Sequence, residues 1–320
     1  MKSRLKYTEV YITNVCNYSC TNCQSLNNFA FKGHQLWDDY CSEYTALSNL
    51  IDFDTIQIIG GEPTLNPEFE KWVSGISKLW PNAKLQIATN GTRLDKLTKS
   101  IYQILSKNNG TLWITCHDIQ LYDRFLDFSK AFLNNIVSDT VDNECDFKSE
   151  YEQSKIDSTV KLKTVSRKLI DNRGVEVILD WSQSFVPSSI TVLDNQRLAM
   201  KYNSDPSQAH DICYFKTCHQ INKGKLYKCP LVSVLPDFLD QFDIDMSDDD
   251  RALAYSYKPL TADRDVAEFV NGIHDAIPQC KFCPSKYIKH NFVGTEKKIK
   301  IVSRDQVIQS PSVNASSRSL

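Results

Sequence analysis

Eleven cysteines stand in this 320-residue chain, and their placement is uneven. Cys16, Cys20 and Cys23 form one group, Cys213, Cys218 and Cys229 a second, and Cys280 and Cys283 a third, while Cys41, Cys116 and Cys145 stand alone. Thiolates at short spacings are ligands for zinc and for iron–sulfur clusters. A disulfide framework needs an oxidising compartment, and the N-terminal MKSRLKYTEVYITN lacks the apolar core of an export signal. The odd count argues the same way.

The first group reads Cys16-Asn17-Tyr18-Ser19-Cys20-Thr21-Asn22-Cys23, a C-x3-C-x2-C run. Three thiolates on one tight loop reach three corners of an iron–sulfur cube. The fourth iron is then left open for a small molecule, as a catalytic zinc keeps one open position. A structural zinc would need a fourth ligand, and the nearest candidate is His34.

A second constellation is Gly60-Gly61-Glu62-Pro63-Thr64, just after the strand-like TIQIIG. Paired glycines let a ligand approach the backbone, whose amides and carbonyls can pair with an amino acid's charged ends. Glu62 adds a negative charge suited to an ammonium. The plainer alternative is a tight turn in which Gly61 supplies unusual backbone angles. Thr89 and Asn90 end a further strand and place polar atoms at the same level.

The elements that must carry these residues alternate. YTEVYIT at 7–13 reads as a strand running towards Cys16, and 37–50 as an amphipathic helix with Trp37, Tyr40, Cys41, Tyr44, Leu47 and Leu50 on one side. Strands follow at 55–60, 84–91, 111–116 and 174–181, with helices at 67–79, 94–107 and 119–133. Such a rhythm predicts parallel strands with helical crossovers. The polar stretch 134–172 reads as holding a further helix around 147–170. The segment 119–173 is either an inserted helical cap or one long exposed helix. The acidic run 237–250 reads as a solvated loop or helix start, and 296–320 as a flexible polar tail.

The cysteine run, GGEP at the next strand end and Thr89-Asn90-Gly91 at the third together resemble the radical S-adenosylmethionine (radical SAM) enzymes, over roughly residues 7–185. The resemblance implies an α/β fold, a partial (β/α)6 TIM-like barrel. It implies a [4Fe–4S] cluster on Cys16, Cys20 and Cys23, with S-adenosylmethionine held by Gly60, Gly61, Glu62, Pro63, Thr89, Asn90 and His117. Reductive cleavage then yields a 5′-deoxyadenosyl radical, which takes hydrogen from a substrate. A low-potential electron donor such as flavodoxin or ferredoxin is implied as partner. One departure is Asn22, where the family places an aromatic residue that packs on the adenine.

C-x10-G-x4-C from Cys213 through Gly224 to Cys229, then Cys280-x2-Cys283, is similar to the shortened "twitch" form of the SPASM auxiliary-cluster domain. That resemblance implies a small C-terminal α+β domain with an auxiliary [4Fe–4S] cluster on Cys213, Cys229, Cys280 and Cys283, with Cys218 able to replace Cys213. A zinc ribbon is the competing reading, since two thiol pairs also suit tetrahedral zinc. The expected organisation is 1–205 barrel, 206–295 auxiliary domain and 296–320 tail.

Among the remaining residues, His117 and Asp180 stand at strand C-terminal ends, where barrel enzymes build their sites. With Cys116 as a hydrogen donor, they are the catalytic candidates. The net charge of −2 gives no reason to expect nucleic acid or an anionic membrane as partner, and no apolar run is long enough to cross a bilayer. A cytoplasmic enzyme is expected. Its substrate would be a carbohydrate-like or nucleotide-linked small molecule, oxidised by two electrons. Fifteen residues before Cys16 leave no room for a leader-binding domain, which disfavours the alternative of a peptide maturase or epimerase. A non-enzymatic zinc or iron–sulfur scaffold or electron carrier is the alternative of another class.

Overall fold

The computed structural model describes residues 2–20, 23–134, 143–147, 164–182, 188–193 and 197–286. The chain begins with β1 (Ser3–Tyr11) and then alternates α1 (Trp37–Ser48), β2 (Ile51–Ile59), α2 (Phe69–Leu79), β3 (Lys84–Thr89), α3 (Lys99–Lys107), β4 (Thr111–Cys116) and α4 (Tyr122–Asn134). Strands β5 (Asn143–Phe147), β6 (Thr164–Ile170) and β7 (Glu176–Ser182) follow. Strands β1, β2, β3, β4 and β7 are parallel neighbours in that order.

The apolar residues of each strand explain which face is covered. Val10 and Ile12 on or just after β1, Ile56 and Ile58 on β2, Leu112 and Ile114 on β4, and Val177 and Leu179 on β7 are buried in one core. The helices supply the other half. Phe69, Trp72, Val73 and Ile76 come from α2, and Ile101, Tyr102 and Leu105 from α3. Because side chains alternate across a strand, Glu9, Gln57, Trp113 and Asp180 lie on the opposite, inner face.

Two expectations change here. Among the described residues, 119–173 is helical in a 3-10 turn (Ile119–Leu121) and α4, and forms strands β5 and β6. Both strands run antiparallel and extend the sheet beyond β7. Thr164-Val165-Ser166 and Leu169-Ile170 carry the β-branched and apolar residues that suit a pleated surface better than a helix. The sheet also gains a parallel strand from far down the chain. Strand β10 (His219–Asn222) pairs parallel with β1, Thr8 opposite His219, and makes a hairpin with β11 (Lys225–Tyr227). The turn of that hairpin needs Gly224, whose φ is +69° and where a Cβ would lie 2.2 Å from Glu43. Among the described residues the sheet is open, with β11 and β5 at its edges.

The rest of the chain builds a second core. Strand β9 (Leu198–Met200) pairs with β8 (Ile190–Val192) and with β12 (Ile244–Asp245), and α5 (Pro206–Asp211), α6 (Pro230–Gln241), α7 (Asp248–Tyr255) and α8 (Val266–Gly272) complete the elements. Phe238, Leu239 and Phe242 meet Tyr11, Leu26, Phe29 and Phe31 in that core. Residues 237–241 are therefore the end of a buried helix, not the solvated loop their acidic side chains suggest. This core also crosses the expected boundary at residue 205, since it draws on Ile190 and Leu198 as well as on the loop after β1. The expectations for Asn22 and the 296–320 tail, and most of the helix expected around 147–170, lie outside the described residues.

Candidate cluster centres

The loop after β1 carries Cys16, Cys20 and Cys23, and β2 runs directly against it. Gly61 N–H donates to the Thr13 carbonyl at 2.7 Å and Glu62 N–H to the Val15 carbonyl at 2.8 Å. A Cβ on Gly60 would stand 2.8 Å from the Thr13 oxygen, and one on Gly61 2.4 Å from the Val15 oxygen. The paired glycines thus admit the cluster loop, a nearer demand than the approach of a ligand. Neither has a positive φ, so the turn alternative fails for Gly61.

Glu62 is 1% exposed. One carboxylate oxygen accepts from Thr64 N–H at 3.2 Å, Thr64 Oγ1 at 2.5 Å and Thr89 Oγ1 at 2.7 Å. The other accepts from Asn90 N–H at 2.7 Å. The carboxylate therefore fastens the ends of β2 and β3 to each other rather than presenting a free charge to an ammonium. Burial pushes its pKa up, against these hydrogen bonds. Asn90 in turn faces the cluster loop. Its Nδ2 donates to Asn17 Oδ1 at 3.0 Å and stands 3.8 Å from Cys16 Sγ.

The three thiols belong to one electrostatic group. Burial raises the Cys20 pKa, and Cys23 and Cys16 raise it further. Cys23 Sγ lies 3.7 Å from Asn27 Oδ1, and Asn27 Nδ2 reaches the Asn14 carbonyl and Tyr11 Oη. Asn27 is a site residue that the motif alone does not reveal. Only its small buried amide, four residues past Cys23, hints at it. His34, the nearest candidate for a fourth zinc ligand, pairs instead with Thr13 Oγ1 at 2.9 Å.

His117 lies where the sequence reading places it. Its Nδ1 is 3.7 Å from Cys20 Sγ, its ring stands edge-on to Tyr18 at 5.5 Å, and burial pushes its pKa down to about 4. Cys116 does not join it. That side chain is 1% exposed within the core between sheet and helices, and its Sγ–H donates to the Asp118 carbonyl at 2.9 Å. It is removed from the catalytic candidates, because alternation along β4 turns it away from the inner face. Asp180 stays on that face. Ser166 and Trp113 bond its carboxyl, its Oδ1 is buried without a partner, and burial raises its pKa.

The second thiol group lies at the other end of the strands. β10 runs parallel to β1 and β11 antiparallel, so Cys218, just before β10, and Cys229, just after β11, lie at the N-terminal strand ends. The six residues from Thr8 to Thr13, five steps along β1 and its extension, span about 16 Å between the two levels. Cys213, Cys229, Cys280 and Cys283 line one small cavity together with His210 and Lys228. Cys213, Cys229 and Cys280 all raise the Cys283 pKa, after burial, which places the four thiols face to face. Cys218 is not in that lining. Its thiol bonds the buried Glu9 carboxylate, which also accepts from Gln220 Nε2 at 2.9 Å.

Both groups suit iron–sulfur clusters. The donor sets are thiols, three in the first group and four in the second, and His210 Nε2 is buried beside the second without a hydrogen-bond partner.

Residues 10–130 match the family model described as the Radical SAM superfamily. Over that span the chain is similar to the radical SAM enzymes. It is 27% identical to the GTP 3′,8-cyclase of Nautilia profundicola over 100 residues, 31% of each protein. It is 25% identical to the GTP 3′,8-cyclase of Helicobacter pylori over 191 residues, 56% of this chain and 53% of the relative. It thus spans between a third and about half the length of these curated relatives. Among solved structures, BtrN in complex with AdoMet and 2-DOIA aligns at 24% identity and TM-score 0.29, over 36% of this chain and 47% of that one. SuiB of Streptococcus suis bound to S-adenosylmethionine aligns at 22% identity and TM-score 0.32, over 42% and 32%. No described helix is long and apolar enough to cross a membrane.

Proposed function

We propose that this chain reductively cleaves S-adenosylmethionine and uses the resulting radical to oxidise a small carbohydrate-like molecule by two electrons. The observation that carries the reading is the placement of two thiol groups at opposite ends of one set of parallel strands, with a polar inner face between them. Cys16, Cys20 and Cys23 would hold the first [4Fe–4S] cluster, leaving an open position for the amino and carboxylate groups of S-adenosylmethionine. Cys213, Cys229, Cys280 and Cys283 would hold the auxiliary cluster of a twitch-like domain. When bound, the first cluster supplies the electron that breaks the sulfonium bond to the 5′ carbon, and the second takes up the electron left on the substrate.

The chain's own residues do the positioning. Gly60 and Gly61 bring their backbone against the cluster loop, Glu62 fixes Thr89 and Asn90 beside it, and Asn90 braces Asn17. Tyr18 and His117 offer an aromatic corner near Cys20 for the adenosyl group. Substrate oxidation also releases a proton, and Asp180, with one oxygen free, is the acceptor on the inner face.

The character of that face favours a polyhydroxy compound over the triphosphate named for the curated relatives. Asp180 keeps one oxygen without a partner there, and Tyr7, Gln57 and Gln220 add neutral polar groups. Lys84 and Lys168 are both paired to Glu176 at the start of β7. A triphosphate needs uncommitted cations. A low-potential flavodoxin or ferredoxin is the expected electron donor.

Anaerobic reconstitution tests the reading. About eight irons per chain and 5′-deoxyadenosine formed from S-adenosylmethionine with dithionite are expected. Zinc with no 5′-deoxyadenosine would establish the scaffold alternative. Deuterium transfer into 5′-deoxyadenosine from labelled sugars, aminocyclitols, nucleotides and peptides then ranks the substrate classes.

A further inference from the structure

The auxiliary thiol cavity has a cationic and hydrogen-donating wall that the cluster-binding pattern does not require. Lys228 is 3% exposed, an unusual place for an ammonium. Its Nζ donates to the Ile273 carbonyl at 2.5 Å, its backbone N–H to Tyr257 Oη at 3.0 Å, and its carbonyl meets His219 Nδ1 at 2.8 Å. The first contact fixes the side chain and the other two fix the backbone that carries it. Lys228 lines the same cavity as Cys213, Cys229, Cys280 and Cys283; burial lowers its pKa, and the charges of Cys229, Cys280 and Cys213 act the other way and favour the ammonium. His210, from α5, lines the cavity from another side, and its buried Nε2 has no hydrogen-bond partner. A buried imidazole nitrogen without a partner is costly unless something in the cavity meets it. As the Nε2–H tautomer it is a donor to a thiolate or sulfide. Asp275, whose charge acts on both Lys228 and His210, is absent from the cavity lining, as is Glu9, which is bonded by Cys218 and Gln220. Asp211, next to His210, uses its backbone carbonyl to hold Lys216 Nζ at 2.8 Å.

We infer that Lys228 and His210 are positioning residues that raise the reduction potential of the auxiliary cluster, making it an electron acceptor rather than a purely structural group. The inference rests on the auxiliary-cluster reading and deepens it. Reduction adds one negative charge inside a dry cavity. A fixed ammonium and an N–H donor facing that cavity stabilise the reduced state more than the oxidised one. A structural cluster gains nothing from a buried lysine, which costs desolvation. A cluster that must take one electron from a substrate radical gains driving force from it. The balance is one electron to the cluster and one proton to a carboxylate for each radical oxidised.

The test uses the full chain with Cys16, Cys20 and Cys23 replaced by Ala, so that only the auxiliary cluster remains. Its midpoint potential is followed by EPR in a dye-mediated titration. On that background Lys228→Met and His210→Phe are each expected to lower the potential. The reduction equilibrium should shift about tenfold for Lys228→Met, which is 59 mV for a one-electron couple. Lys228→Arg keeps the charge and should hold the potential near that of the parent. An unchanged or higher potential in Lys228→Met overturns the inference while leaving the cluster reading intact. Where Lys228→Met fails to retain iron, the His210→Phe potential decides in the same way. A triple-Cys protein that binds no iron overturns the cluster reading and this inference with it.

Discussion

Replacing Gly61 by Ala is the sharpest test of how the fold builds the first cluster loop. The added Cβ would lie 2.4 Å from the Val15 oxygen, 2.6 Å from its carbonyl carbon and 2.9 Å from Cys16 Cβ. All three contacts are with the cluster loop, and two are with its backbone, which cannot rotate away. Relief to about 3.0 Å requires the strand end and the loop to separate by roughly 0.6 Å. That stretches the Gly61 N–H to Thr13 and Glu62 N–H to Val15 bonds from 2.7 and 2.8 Å past the useful range. Two buried backbone bonds at about 1 kcal/mol each, with the desolvation cost of the groups left unpaired, put the loss near 2–5 kcal/mol. The expected result is a chain that still folds around its helix-backed core but retains about four irons instead of eight and cleaves S-adenosylmethionine at least tenfold more slowly. Gly75→Ala is the control. Its Cβ would strike the Trp37 ring of α1 at 2.2 Å, not the loop of Cys16, Cys20 and Cys23. It should lower the melting temperature without changing iron content per folded chain. If Gly61→Ala keeps both full iron and full cleavage rate, the close approach of β2 is not what positions the cluster loop.

Three further outcomes follow from the same geometry. Cys213→Ser should cost the auxiliary iron, whereas Cys218→Ser should keep it, because the Cys218 thiol bonds Glu9 outside the cavity; iron and sulfide counts on the two variants decide. Cys116→Ala should leave iron content and cleavage unchanged and lower stability by about 1 kcal/mol, read from chemical denaturation, since it removes one buried sulfur from the core. In cluster-free protein, His219 has its pKa pushed down to about 4, chiefly by burial. The unfolded chain binds that proton near pH 6.5 and the folded chain does not, so stability is complete above pH 6.5 and is lost as pH falls towards 4. The loss amounts to about 3 kcal/mol, and His219→Gln should flatten that part of the pH–stability curve.

The parallel-strand half of the fold was legible because its signals are local. Ile56 and Ile58 alternate with polar Gln57, Leu85 and Ile87 with Gln86, and Trp72 and Ile76 repeat at helical spacing, so period alone separates strand from helix. The cysteine spacing and the glycine pair were legible for the same reason. What failed depended on distant partners. The β5 and β6 pairing is set by register with β7, and a polar stretch without glycine or proline carries no local mark of it. The buried end of α6 reads as solvated because Asp237 and Asp240 mask Phe238 and Leu239, whose partners Phe29 and Phe31 are some two hundred residues away in sequence. Glu62 was read as a free charge because its four donors come from two separate strand ends. Cys116 was read as a site residue because nearness to His117 in sequence hides the alternation that turns it into the core.

The place of β10 gives the two thiol groups a common mechanical origin. The strand pairs with β1 over Thr8 to Tyr11, the same strand whose C-terminal extension carries Cys16. A buried polar chain then links the two regions. Gln35 Nε2 donates to the Tyr11 carbonyl and to Asn222 Oδ1, both at 2.7 Å, Asn222 Nδ2 donates to the Ser233 carbonyl at 2.9 Å, and Ser233 Oγ donates to Gln220 Oε1 at 2.5 Å. Gln220 closes on Glu9. Removing residues from 206 onward would unpair the β1 edge and strip partners from this chain, leaving buried amides exposed or unsatisfied. The N-terminal segment is therefore expected to depend on the strand it pairs with from the C-terminal region. A truncated 1–205 chain should aggregate or lose the first cluster as well as the second. Retention of about four irons and normal 5′-deoxyadenosine formation by that truncated chain would show that the strand shared with the C-terminal region is dispensable.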